Sequence, residues 1–193
     1  MEIYLIRHGE STGNYTKKYV GWTDVDLTEK AYYQCEKLKS SLELVEFDAV
    51  FSSDLKRSID TAYRVMGEKN IIMKKKLREI NFGKFENMTY DEILLKYPEE
   101  VEKWIELGDK YVFPGGESSL DLYDRVMDEM KSILESDYKR VLIFTHGGVI
   151  RSILSHFMYG NNNGCWKFEV ENCKMNVIEH RDGFSYLKSL NSL

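Results

Sequence analysis

The chain has 193 residues, 42% of them hydrophobic and 31% charged, and a formal net charge of −5, which suits one ordinary domain and gives no basic footprint for nucleic acid. Three cysteines, Cys35, Cys165 and Cys173, lack any CxxC spacing, so neither a disulfide framework nor a zinc site is signalled, and buried free thiols are expected. No stretch has the apolar length a bilayer requires and no leader pattern opens the chain, so the expectation is a cytoplasmic protein without a membrane partner.

A β-strand is predicted at about residues 2–7, where the apolar run EIYLI ends abruptly in Arg7-His8-Gly9. A helix then starts near Thr28, with Ala31, Cys35, Leu38 and Leu42 on one face. Ala49-Val50-Phe51 reads as a short buried strand. Ser53 or Asp54 is expected to cap a second helix with the face Leu55, Ile59, Ala62 and Val65, ended by Gly67. Ile71-Ile72-Met73 is a third strand candidate.

Residues 89–107 have a helical pattern interrupted at Pro98, and residues 84–117 as a whole read as a helical excursion away from the sheet. Ser118-x-x-Asp121 resembles a capping box opening a helix with Leu122, Val126, Met130 and Ile133. Val141-Leu142-Ile143-Phe144 is apolar without alternation, as in a strand buried on both faces. A Gly147-Gly148 turn should lead into a helix with Val149, Ile150, Ile153, Leu154 and Phe157. In the tail, Asn163-Gly164 and Asp182-Gly183 are turn signals between antiparallel strands.

Strands alternating with helices predict one three-layer α/β/α domain over residues 1–193 with a mostly parallel central sheet. Ligands in such sheets bind beyond the carboxyl ends of the strands. Those ends supply Arg7 and His8, Arg57, Arg78-Glu79 and Thr145-His146-Gly147. Two arginines can hold phosphoryl oxygens through forked hydrogen bonds. A neutral imidazole can attack phosphorus, a second histidine can donate to an oxygen, and a carboxylic acid can protonate the departing alkoxide. The set is suited to phosphoryl transfer without a metal.

Five stretches in order, RHGESTGN, SDLKRSIDTA, LREINFGKFENMT, FPGGES and THGGVIR, resemble the successive motifs of the histidine phosphatase superfamily, also called phosphoglycerate mutase-like. The resemblance runs from residue 3 to about residue 155 and implies that fold. It implies that His8 becomes phosphorylated, that Arg7, Arg57 and His146 complete the phosphate pocket, and that Glu79 is the general acid and base. Asn14 would donate to the phosphate, Gly147 would offer a backbone N–H, and Gly21 would lie among the substrate-binding residues. No cofactor or metal is implied, and the partner is a small phosphorylated metabolite; oligomeric state is not legible.

Each role has a structural rival: Asn14 as a turn cap, and Glu79 as an ion-pair partner of Arg78. Were Glu79 not the acid, Glu86 and Glu117 are the next carboxyls. His156 and His180 match no motif and read as structural, and Trp22, Trp104 and Trp166 as packing residues. The chain departs from the family pattern at Phe85 and Asn87, where Trp and Gly are usual, and at Ala31, usually Gly; neither change is expected to touch the phosphate pocket.

The superfamily includes mutases, phosphatases and phosphorylation-dead adaptors. Residues 84–113 hold no arginine, whereas a mutase must grip a second anionic group, so a phosphatase is favoured. An adaptor would lack the nucleophile or the acid, and both are present. The segment YPEEVEKWIELGDKYVFPGGES resembles that of the α-ribazole-5'-phosphate phosphatases of cobalamin assembly, and also that of fructose-2,6-bisphosphatase.

Overall fold

The computed structural model describes residues 1–67 and 69–193. Six strands form one sheet: β1 (Glu2–Arg7), β2 (Ala49–Ser52), β3 (Ile71–Met73), β4 (Arg140–Thr145), β5 (Met175–Arg181) and β6 (Phe184–Ser192). Their order is β3-β2-β4-β1-β5-β6. The first four pair in parallel, and β5 and β6 add an antiparallel edge. The helices are α1 (Thr12–Tyr15), α2 (Glu29–Leu42), α3 (Lys56–Met66), α4 (Tyr90–Lys96), α5 (Pro98–Leu107), α6 (Ser119–Leu134) and α7 (Gly147–Tyr159).

The unalternating run of β4 follows from its place in the middle: Val141, Leu142, Ile143 and Phe144 are all fully buried because helices cover both faces. On one face Leu142, Phe144, Ile6 and Val50 pack with Cys35 and Leu38 of α2 and Ala62 and Val65 of α3. On the other, Val141, Ile143, Ile3 and Leu5 pack with Val126 and Met130 of α6 and Ile150 and Ile153 of α7. This is the mostly parallel, helix-covered sheet that the alternating pattern predicts. No helix among the described residues is long and apolar enough to cross a membrane.

Four local expectations are corrected. The residue at the N-cap of α3 is Leu55, with no side-chain cap; Ser53 and Asp54 are drawn away by His146 and Arg78. The buried face of α3 runs through Arg57, Ser58, Thr61, Ala62 and Val65, with Ile59 only half-buried, because its first turn faces polar groups at the strand ends. Gly147-Gly148 is not a turn but the start of α7, with His146 at the N-cap. Asn163-Gly164 lies in a 3-10 helix, Asn162–Lys167, rather than a hairpin. There the Ser155 hydroxyl accepts from the Gly164 N–H and donates to the Asn161 carbonyl, fastening the segment to α7.

Asp182 and Gly183 do turn β5 into β6, both at positive φ, 53° and 78°, as two-residue hairpins require. Pro98 opens α5 as its first residue, where its missing N–H costs nothing. The excursion is knit by an aromatic cluster that includes Phe82, Phe85, Trp104, Tyr111 and Phe113. The parallel register sets Arg7 beside Thr145 and Ser52 beside Phe144 and Met73. The segments after four strands therefore meet at one edge of the sheet.

Candidate active site

His8 leaves β1 with its N–H donating to the Thr145 carbonyl at 2.9 Å, which brings it beside His146. Its Nδ1 lies 2.7 Å from the Gly9 carbonyl, an acceptor only, so Nδ1 carries the proton and Nε2 keeps a lone pair. The Arg57 Nε–H donates to that lone pair at 3.2 Å, consistent with the same tautomer. Burial, and then the positive charges of Arg57 and Arg7, hold the imidazole well below the usual histidine range. A neutral ring with its Nε2 lone pair turned to the pocket is a nucleophile in waiting.

His146 sits at the N-cap of α7, its ring centroid 5.2 Å from that of His8. Its Nε2 is 2.8 Å from the Ser53 hydroxyl oxygen, which itself accepts from the Leu55 N–H. With the Ser53 hydroxyl donating to Nε2, the proton of His146 lies on Nδ1. That Nδ1 is buried and has no hydrogen-bond partner among the described residues. Burial, followed by the nearby cations, keeps this ring neutral as well.

Both arginines are buried deeply enough to lower their pKa, Arg57 to about 10, and both remain cations at neutral pH. Arg7 Nη1 donates to the Val170 carbonyl, while its Nε is buried and has no hydrogen-bond partner among the described residues. Arg57 Nη1 and Nη2 donate to the carbonyls of Thr23 and Gly21. The Gly21 carbonyl thus holds Arg57 in place. The Gly21 N–H is consumed by Glu86, and a Cβ there would lie 1.9 Å from the Ile80 carbonyl.

Asn14 is a turn cap that also faces the pocket. Its Oδ1 accepts from the Ser11 N–H and the Asn172 amide, completing a capping box at α1. With the oxygen so held, the Nδ2 group is the end left to donate, and Asn14 lines the pocket of about 140 Å³ that also holds His8, Arg7 and Arg57. Gly147 begins α7, a position whose N–H has no partner within the helix.

Glu79 points across the same pocket. Its Oε2 accepts from the Gly148 N–H at 3.0 Å and its Oε1 from the Ile80 N–H at 2.9 Å. Its neighbour Arg78 instead forms a forked pair with Asp54, at 2.6 and 2.8 Å, so the ion-pair rival for Glu79 does not apply. The two reserve carboxyls are also committed: Glu86 accepts from the N–H groups of Gly21, Trp22, Thr23 and Phe82, and Glu117 is paired with Arg125.

Several supporting residues escaped the sequence. Thr61 accepts from the Gly9 N–H and donates to the Arg57 carbonyl, linking the two. Asn172 donates to the His8 carbonyl at 2.7 Å from 164 positions away, a distance that no local pattern announces. Ser53 lay inside a quoted motif, but only its pairing with His146 reveals its use. Ala31, thought remote, packs directly on the loop after His8, since a Cβ at Gly9 would meet the Ala31 Cβ at 2.7 Å. His156 and His180 have structural partners, the Tyr123 hydroxyl and the Ser185 hydroxyl.

Beyond Glu79 opens a second cavity of about 290 Å³, which shares Tyr19, Glu79 and Phe82 with the first. Its walls are largely aromatic and aliphatic, including Trp104, Phe113 and Leu122, and Arg151, Asn162 and Trp166 also line it. Trp104 belongs to the aromatic cluster and the Trp22 indole N–H donates to the Glu79 carbonyl. Trp166, expected to pack, is 71% exposed and lies under the Arg151 guanidinium. Among the described residues no group of three His, Cys, Asp or Glu could hold a metal ion.

A family profile described as the histidine phosphatase superfamily, branch 1, matches residues 3–193. Phosphoserine phosphatase 1 of Hydrogenobacter thermophilus is 29% identical over 99% of this chain and 92% of its own. The adenosylcobalamin/alpha-ribazole phosphatase of Salmonella typhimurium is 29% identical over 100% and 96%. The crystal structure of the alpha-ribazole phosphatase from Shigella flexneri superposes with a TM-score of 0.95 at 27% identity, covering 100% of this chain and 96% of that one.

Proposed function

Because the chain belongs to the histidine phosphatase superfamily, branch 1, we propose that it is a phosphomonoester hydrolase working through a phosphohistidine on His8, without a metal ion. One observation carries this reading: around a neutral His8, Arg7 Nε and His146 Nδ1 are buried without hydrogen-bond partners among the described residues. Buried donors left unpaired cost free energy. Phosphoryl oxygens would satisfy both.

In the first step His8 Nε2 attacks phosphorus and the bond to the ester oxygen breaks. Glu79, at the mouth of the leaving-group cavity, gives that oxygen its proton. Arg57 keeps its proton and redirects its Nε–H hydrogen bond from His8 to a phosphoryl oxygen, and Arg7, His146, Asn14 and the Gly147 N–H donate to the others. These donors stand in place before the charge spreads in the transition state. In the second step Glu79 accepts a proton from water, which attacks the phosphohistidine and releases phosphate and His8.

The substrate we propose is α-ribazole 5'-phosphate. The aromatic-walled cavity beside Glu79 suits a flat, apolar base better than a small polar one, and both the Salmonella and the Shigella relatives are named for that activity. A second reading is phosphoserine, favoured by Arg151, which has no carboxylate partner among the described residues and could take the substrate's own. A single experiment addresses both the chemistry and the substrate. Acid-labile label from 32P-esters should appear on wild-type protein and vanish in His8→Ala, and phosphate release should be fastest from α-ribazole 5'-phosphate. Label persisting in His8→Ala would move the nucleophile elsewhere; preference for phosphoserine would favour the second reading.

A further inference from the structure

The lining of the leaving-group cavity contains a feature that the phosphate chemistry does not use. Asn162 lines that cavity, is only 4% exposed, and its carboxamide oxygen is buried without a hydrogen-bond partner among the described residues. An acceptor so placed is costly unless a donor arrives from elsewhere.

The segment that carries it is held rigidly. Ser155 of α7 binds both the Asn161 carbonyl and the Gly164 N–H, at 2.6 and 2.9 Å. Gly164 lies so close to Tyr159 that a Cβ there would fall 2.3 Å from the ring, and the Asn161 side chain caps the Asn163 N–H. Asn162 is therefore a fixed acceptor rather than a side chain on a loose loop. Gly148, which binds Glu79, and Ser152 line the same cavity from successive turns of α7. They are separated by about 6 Å along the helix.

Resting on the phosphatase reading above, we propose that Asn162 is a specificity-determining residue of the leaving-group cavity, its carboxamide oxygen accepting a hydrogen bond from a sugar hydroxyl of a furanosyl phosphate. The flat base of such an ester lies against the aromatic wall, and its sugar hydroxyls are the donors offered to Asn162. Discrimination arises because an ester lacking the hydroxyl would leave the acceptor buried and unpaired, whereas the hydroxylated ester pairs it.

The probes are 5,6-dimethylbenzimidazole riboside 5'-phosphate, whose base has no N–H donor, and its 2',3'-dideoxy counterpart. The readout is the ratio of kcat/KM for the two on the same protein, which partial loss of folded enzyme does not alter. The wild type should favour the hydroxylated ester by about ten- to a hundredfold, the cost of one unpaired buried acceptor. Asn162→Leu should bring the ratio to about one, chiefly by improving the dideoxy ester, and Asn162→Asp, which keeps an acceptor, should retain the preference. A ratio near one in the wild type would overturn the proposal, whatever the variants do. So would an unchanged ratio in Asn162→Leu, or hydrolysis of p-nitrophenyl phosphate with neither riboside accepted. Failure of the underlying chemistry looks different: no phosphomonoester would label His8 at all.

Discussion

Gly148→Ala offers a way to displace the proposed acid without touching its chemistry. A Cβ at Gly148 would lie 2.3 Å from Glu79 Oε1 and 3.2 Å from Leu122 Cδ2. The first of these is the end of a flexible side chain, so the carboxylate gives way rather than α7. To reach ordinary contact it must withdraw by roughly 1 Å, a misplacement that costs about a hundredfold at a reacting centre. The fold should not suffer, since alanine favours a helix over glycine by roughly 0.5–1 kcal/mol. Single-turnover phosphorylation of His8 separates the outcomes. A sugar 5'-phosphate, whose alkoxide must be protonated to leave, should react about a hundredfold more slowly, whereas p-nitrophenyl phosphate should lose only a few-fold and Tm should hold. Because both changes remove one function, combining the substitution with Glu79→Gln should add little to Glu79→Gln alone. Equal losses for both esters would refute the reasoning, and so would full additivity in the double variant.

Four further outcomes follow from the pocket. Arg57→Ala should lower turnover by at least about a hundredfold, as for one preorganised donor, and Arg57→Lys should recover only part of it because an ammonium cannot reproduce the fork; kcat for each variant checks this. Activity should survive EDTA, and vanadate should inhibit; loss on chelation restored by a divalent ion would contradict the metal-free mechanism. Gly21→Ala should damage folding and turnover together, since its Cβ would overlap the Ile80 carbonyl, which melting curves and kcat would register. His8 and His146 stay neutral in the fold well below the usual histidine pKa, whereas in the unfolded chain they take up protons at about pH 6.5. Stability is therefore complete above that pH and falls as pH drops below it. Each group contributes a slope of up to about 1.4 kcal/mol per pH unit. Denaturant titrations from pH 7.5 to 5 should show His146→Asn with a slope shallower by one proton.

The sequence is most informative where polar residues interrupt apolar runs. Arg7-His8 after β1, Arg57 after β2 and His146 after β4 are residue types that are costly to bury, so their place at the ends of apolar strands could be read before any fold was known. The parallel pattern then says that those ends converge. The leaving-group cavity had no such signal, because Phe82, Trp104, Phe113 and Leu122 look in sequence like any other core residue. Asn162 was hidden for a related reason: the Asn163-Gly164 pair beside it reads as a hairpin, and only the tie from Ser155 makes it a 3-10 turn on α7. Caps were read well where both halves of the box are local, as at Ser118 and Asp121. They were misread at Ser53, whose stronger partner, His146, lies 93 positions away.

The departures from the family pattern take on physical meaning in the same terms. Asn87 stands where glycine is usual and has φ of 63°; asparagine is among the few residues with a side chain that enter this region readily, so the turn after Glu86 is preserved. Preserving it matters because Glu86 gathers four backbone N–H groups, and one of them belongs to Gly21, whose carbonyl orients Arg57. Phe85, in place of tryptophan, is fully buried among Tyr97, Trp104 and Phe113, so it supports the wall of the leaving-group cavity from behind without lining it. Ala31 fits only because Gly9 has no Cβ to meet it, and Gly9 is the residue whose carbonyl fixes the tautomer of His8. A larger residue at 31 would press on that carbonyl and on the nucleophile. The departures therefore lie behind the proposed chemistry: Asn87 and Ala31 bear on the backbone that positions Arg57 and His8, and Phe85 on the packing of the cavity wall.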